Sequence, residues 1–267
     1  MADIGAWLKN NLLTLNPTKT KFICFHKTKA SAPDETVQSI RLHTCSSPTD
    51  FHQCSCTDNI ERAQSLRYLG VILDQNLNFN AHISGVVGRC RKLIYIMKQI
   101  RDLSDTTIHK LVYTALCESI IGYCVSCWGG AAKTHLLKLE RAQRCVLKVL
   151  LKKHFQYSTF DLFRDFEVLT VRQLFIAKSA TAAYKHLLSL PTLSEILNKR
   201  VIRLAVPACR TTFAQRFSTF LQPFLLNKLI KVCPFIGCTI KEAQVNLKKY
   251  LFTLDYETTE SLLETSS

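Results

Sequence analysis

The chain has 267 residues, 47% hydrophobic and 21% charged, an ordinary balance for a folded protein and too apolar for intrinsic disorder. No apolar run reaches the ~20 residues a membrane span needs, and Asp3, Lys9, Asn10 and Asn11 break up the first segment where a signal peptide would be apolar. Membrane and secreted classes are set aside, and the expected location is intracellular, in nucleus or cytoplasm. Thirty-five Lys and Arg against 20 Asp and Glu leave a net charge of +15, which favours polyanionic partners.

Only eight Gly and seven Pro, the strongest helix breakers, point to a helical protein. The twelve cysteines are read as reduced, since no export signal precedes them. Cys90, Cys117, Cys145 and Cys233 lie in apolar segments and are expected in the core.

In chain order, Ile4, Trp7, Leu8 and Leu12 predict a short amphipathic helix over 3–13, ended by Asn16-Pro17. Lys21 to Phe25 reads as a short strand. Residues 28–59 hold five Ser, five Thr, three Asp and two Pro, an irregular polar insertion with a strand at Gln38 to His43. Leu66 to Asp74 reads as one strand ending in an Asp/Asn-rich turn. Beyond Asn80 the pattern is helical. Ile83, Val86, Val87, Cys90, Leu93, Ile94, Met97 and Ile100 form one stripe. A second helix is predicted from Ser104 to about Cys127, stopping at Gly129-Gly130, and a third over Lys133 to Lys153. Capping boxes at Thr170-x-x-Gln173 and Thr239-x-x-Glu242 mark two more starts. Residues 255–267 are acidic and rich in Ser and Thr, and are expected to be disordered.

Three blocks carry a resemblance. Trp7-Leu8-Lys9-Asn10-Asn11-Leu12-Leu13-Thr14-Leu15-Asn16-Pro17-Thr18-Lys19-Thr20 is followed by Tyr68-Leu69-Gly70-Val71-Ile72-Leu73-Asp74 with Leu77, Phe79, His82 and Ile83. Then come Ile121-Gly122-Tyr123, Trp128-Gly129 and Leu139-Glu140-x-x-Gln143. In this order the blocks resemble the part of non-LTR (LINE-type, jockey- and CR1-like) retrotransposon reverse transcriptases that follows the catalytic turn of the palm. The resemblance covers most of residues 1–190. It implies the end of the palm with a primer-grip-like hairpin over 1–75, carrying the 28–59 insertion, and a helical thumb and connection over 76–254.

The family is an RNA-directed DNA polymerase using two-metal catalysis, in which paired carboxylates hold two divalent ions. This chain has no Asp-Asp dipeptide. The resemblance therefore implies a region without fingers or catalytic centre, with Mg²⁺ expected only in a full-length member, no cofactor here, and no polymerisation by the chain alone. Lys19 matches the family's lysine after the active-site turn, where it could protonate pyrophosphate, but without aspartates a solvated lysine is the favoured reading. Leu69, Gly70 and Val71 match the primer grip; a strand packed on the palm accounts for them equally.

Lys138, Arg141, Arg144, Lys148 and Lys152 are spaced three, three, four and four apart and share one face of the third helix, opposite Leu136, Leu139, Ala142, Val146 and Leu150. Residues 75–155 hold thirteen Lys or Arg and four Asp or Glu. Such a stripe suits phosphate backbones, through contacts that carry no base information; a merely solvated face is the ordinary alternative, and it is the resemblance to a thumb that favours nucleic-acid contact. His43, Cys45, His52, Cys54 and Cys56 match no common zinc spacing and are read as loop residues, and Cys124-x-x-Cys127 as packing, so no metal site is assigned.

The expected fold is α+β: a short helix and a small antiparallel β element, then a mostly helical thumb-like domain. The expected function is a reverse-transcriptase region that contacts RNA and DNA largely independently of sequence, with no membrane partner and with the missing fingers and palm as an implied partner. The alternatives are a stand-alone basic RNA- or DNA-binding module and a decayed transposon relic.

Overall fold

The computed structural model describes residues 7–8, 10–27, 37–41, 59–102, 105–191 and 202–264. The candidate zinc residues His43, Cys45, His52, Cys54 and Cys56 and most of the 28–59 insertion lie outside them. The protein is α+β and divides into two compact units, Met1–His82 and Ile83–Ser267.

In the first unit, strands β1 (Lys21–Phe22), β2 (Ser39–Arg41) and β3 (Asn59–Arg62) form a sheet of order β1-β3-β2. β2 runs antiparallel to β3, with Ile40 opposite Ile60, but β1 runs parallel to it. The long connection between β1 and β3 permits this, because parallel neighbours need a crossover. Leu66 to Asp74, read above as one strand, is a hairpin of β4 (Ser65–Tyr68) and β5 (Val71–Asp74). Leu69 (φ 44°) and Gly70 (φ 83°) form its two-residue turn. Positive φ at both positions gives a turn whose twist matches the strands it joins.

Asp74 then explains the turn that follows. Its carboxylate accepts the backbone N–H groups of Asn76 (3.1 Å), Asn78 (3.0 Å) and Phe79 (2.7 Å), starting the chain into α1 (Asn80–Ile100).

The second unit contains most of α1, whose stripe residues Ile83, Val86, Val87, Cys90, Leu93 and Met97 are buried. The expected helix over 104–127 is interrupted. It consists of α2 (Thr106–Tyr113), a π turn at Thr114–Glu118, α3 (Ser119–Gly122) and α4 (Val125–Trp128), with Cys124 in the left-handed region at φ 49°. The buried Trp128 indole N–H donates to the Tyr123 carbonyl at 2.9 Å, satisfying an acceptor at the break.

α5 (Lys133–Leu150) and the short α6 (Thr159–Asp165) lead to α7 (Val171–Leu188), which packs against α3, α4, α5, α8 (Ser218–Leu229), α9 (Ile240–Phe252) and α10 (Tyr256–Ser261). Leu174, Phe175, Ile176, Ala180, Ala183 and Leu187 of α7 are buried, the mark of a central helix. Both capping boxes form, at Thr170 with Gln173 and at Thr239 with Glu242. Gly129 must be glycine: a Cβ there would lie 2.4 Å from the Phe175 ring.

Two expectations are corrected. Residues 255–264 are not a disordered tail, since Asp255 caps α10, Thr259 is buried and Glu260 pairs with Arg172. Cys145 is exposed, on the solvent side of α5, whereas Cys90, Cys117 and Cys233 are buried as expected.

Candidate nucleic-acid interface

The period of α5 buries Leu136, Leu139, Ala142, Gln143, Val146, Leu147 and Leu150 and turns its cations outward. The five predicted cations then diverge. Lys138 and Arg141 are exposed and make no internal ion pair or hydrogen bond among the described residues. Arg144 Nη1 donates to Thr159 Oγ1 at 3.0 Å, leaving other guanidinium N–H groups available. Lys148 Nζ donates to the carbonyls of Tyr157 (2.8 Å) and Phe155, so it holds the following loop. Lys152 lies past the helix end at φ 52° and pairs with Asp102, whose carboxyl it holds below the usual range.

Beside this face lies a groove of about 760 Å³, whose lining includes Glu140, Arg141, Arg144, Phe160, Phe163 and Arg164. Arg164 pairs with Asp161 (2.7 Å) and Asp165 (3.1 Å), and its guanidinium lies 5.5 Å from the Phe160 ring centroid. Arg172, also in the lining, is held by Glu260 at 2.6 and 3.2 Å and donates to the Gly129 carbonyl at 3.0 Å. Burial pushes the Glu140 carboxyl up to about 7; Glu260 reinforces this, and Arg172, Lys133 and Arg144 oppose it. Glu140 is thus largely neutral in mildly acidic conditions and adds negative charge to the groove above neutrality.

Several residues of the three sequence blocks have architectural roles. The Gln143 amide donates to Tyr113 Oη and to the Leu169 carbonyl, both at 2.8 Å, tying α5 to two neighbouring segments. Trp128 and Gly129 are buried. Lys19 stands exposed after a turn organised by Asn16, whose side-chain oxygen accepts the Lys19 N–H (3.2 Å) and the Thr18 hydroxyl (2.7 Å). Leu69 and Gly70 form the exposed hairpin tip, and Val71 is buried below it.

No group of three or more His, Cys, Asp or Glu side chains converges among the described residues. The described residues therefore offer no carboxylate cluster of the kind that holds two divalent ions. No helix among the described residues is long and apolar enough to cross a membrane.

Arg164 and Phe160 in the groove lining, and the exposed Arg89, Arg91, Lys92 and Lys98 of α1, are cations and an aromatic that the residue pattern did not single out. The last four were inside the local charge count but formed no regular stripe.

The chain is similar to the RNA-directed DNA polymerases of three Drosophila melanogaster mobile elements. It is 22% identical over 176 residues to the probable RNA-directed DNA polymerase from transposon BS of Drosophila melanogaster, an alignment covering 65% of this chain and 18% of that protein. It is 19% identical over 168 residues to the corresponding protein of the X-element, covering 62% and 16%. To the RNA-directed DNA polymerase of the mobile element jockey it is 27% identical over 112 residues, covering 41% and 12%. Both of these are also from Drosophila melanogaster. The chain thus spans less than a fifth of the length of the curated relatives it matches. No family model matches it, and no solved structure matches it significantly.

Proposed function

We propose that this chain is the post-catalytic region of a non-LTR retrotransposon reverse transcriptase, and that it grips RNA and DNA through the cationic face of α5. The observation that carries the reading is the pair Lys138 and Arg141, exposed and uncommitted beside a groove, in a chain whose relatives are named RNA-directed DNA polymerases. Such contacts act on phosphates and are largely independent of sequence. The Leu69-Gly70 tip would lie against a primer end, and the metal-binding aspartates would come from a palm that these residues do not supply. The chain alone adds no nucleotides.

The test is binding of the 267-residue chain to an RNA–DNA hybrid across a salt series. The logarithm of affinity should fall linearly with log salt, and Lys138→Glu with Arg141→Glu should reduce that slope by about 1 per lost contact. Affinity unaffected by salt and by both reversals would overturn the reading. Primer extension by the purified chain would overturn its non-catalytic part.

A further inference from the structure

The loop between α5 and α6 presents Phe155 at 86% exposure, the highest of any aromatic side chain among the described residues. Leaving a large apolar ring in water forgoes about 1.5–3 kcal/mol of burial free energy, so one held there by its surroundings calls for a reason.

This ring is held. Lys148 donates to the carbonyls on either side of Gln156, and the Tyr157 N–H donates to the His154 carbonyl at 3.0 Å. The Gln156 N–H reaches His154 Nδ1 at 3.3 Å, and the Tyr157 hydroxyl donates to Asp165 Oδ2 at 2.6 Å. Lys153 caps the Tyr157 ring at 4.5 Å. The Lys148 ammonium lies 5.6 Å from the Phe155 ring centroid, over one face of the ring, and the high exposure leaves the other face open.

The charge along this segment has one sign, and the acidic side chains that reach it, Asp102 and Asp165, are taken up by Lys152 and by the Tyr157 hydroxyl and Arg164. From Arg141 to Phe160 the chain carries Arg141, Arg144, Lys148, Lys152 and Lys153, and no Asp or Glu. An aromatic face carried on a hydrogen-bonded loop amid cations that suit a phosphate backbone is the arrangement that binds unstacked bases, because every base has a π face.

We propose that Phe155 is a base-stacking platform: it takes an unpaired base of a nucleic acid strand on its open face while Lys153 and Arg141 contact phosphates. The proposal rests on the nucleic-acid reading above and adds a contact with bases to contacts with phosphates. It predicts a preference for single strands or open duplex ends over closed duplex.

The experiment is fluorescence anisotropy of the full chain with a labelled single-stranded RNA and with the same strand carrying abasic sites. Phe155→Ala should weaken binding to the intact strand roughly 5- to 150-fold with an unchanged salt slope, because a stacked base and not a phosphate is lost. Phe155→Trp should retain binding. On the abasic strand the wild type and Phe155→Ala should bind alike. Since Phe155 is 86% exposed, Phe155→Ala should leave the thermal unfolding curve in place.

Wild-type binding to the RNA with Phe155→Ala equally tight would overturn the stacking role and leave the phosphate reading standing. An equal loss on intact and abasic strands would likewise overturn it, marking the ring as structural. Wild type that binds no strand at all would overturn both. Phe155-dependent binding to vesicles containing phosphatidylserine, with no dependence on RNA, would overturn it in favour of a bilayer.

Discussion

Two sets of charged and polar side chains in the helical unit serve opposite ends. Around the start of α7, Arg172, Gln173 and Glu260 are committed inward: Arg172 to Glu260 and the Gly129 carbonyl, Gln173 to the Leu251 carbonyl at 2.8 Å. Along α5, the cations grade from the uncommitted Lys138 and Arg141 to Lys148 and Lys152, which hold a loop and an ion pair. The comparison shows that charge alone does not identify a binding residue. What separates the two sets is whether an internal partner already uses the charge.

The largest effect expected to test that contrast is at the inward set. Arg172→Met leaves the Glu260 carboxylate, whose side chain is 14% exposed, with only Lys133 at 3.9 Å as an ion-pair partner, and should cost about 3 kcal/mol in urea unfolding. The double variant Arg172→Met, Glu260→Leu should recover most of that loss. A single variant as stable as wild type would break the comparison at its buried end.

Glu140 sits between the two sets and gives a pH test. Its carboxyl is raised from the ordinary 4.5 to about 7, so across that window the folded chain holds a proton that the unfolded chain has released. Stability contributed by this group is therefore full below the unfolded value, declines as pH rises, and is lost above the folded value. Glu140→Gln should gain on the order of 2 kcal/mol over wild type near pH 8 and almost nothing near pH 4. Equal stability differences at both ends would mean the carboxyl is solvated. The comparison of variant with wild type cancels the opposing slopes of Asp165, Glu167 and Asp255, whose carboxyls are held low.

The smallest effect should be at the exposed end. Lys152 and Asp102 have side chains 56% and 54% exposed, so Lys152→Ala should change stability by at most about 1 kcal/mol. A larger change would show that the loop and not only the ion pair depends on it.

Much of the fold was legible in particular residues. The stripe from Ile83 to Met97 is buried, the boxes at Thr170 and Thr239 close, and Asp74 ends its strand in a turn. The hairpin at Leu69-Gly70 is implied by the resemblance but not by the residue pattern, which reads as one strand because Leu69 gives no sign of the left-handed conformation it takes beside Gly70. The break at Cys124 was hidden for the same reason: its flanks, Ile121 and Val125, keep an apolar helical pattern through it.

The sequence by itself determined the apolar stripes of α1 and α5, the capping boxes that start α7 and α9, and the cationic balance of the chain, because periodicity and capping are settled among residues three or four apart. Only the tertiary structure decided which cations have an internal partner among the described residues. Arg172 and Glu260 meet across 88 residues of sequence, and Lys152 and Asp102 belong to different segments. No local pattern records such a meeting, yet it decides whether a charge is spent inside the fold or offered to a partner.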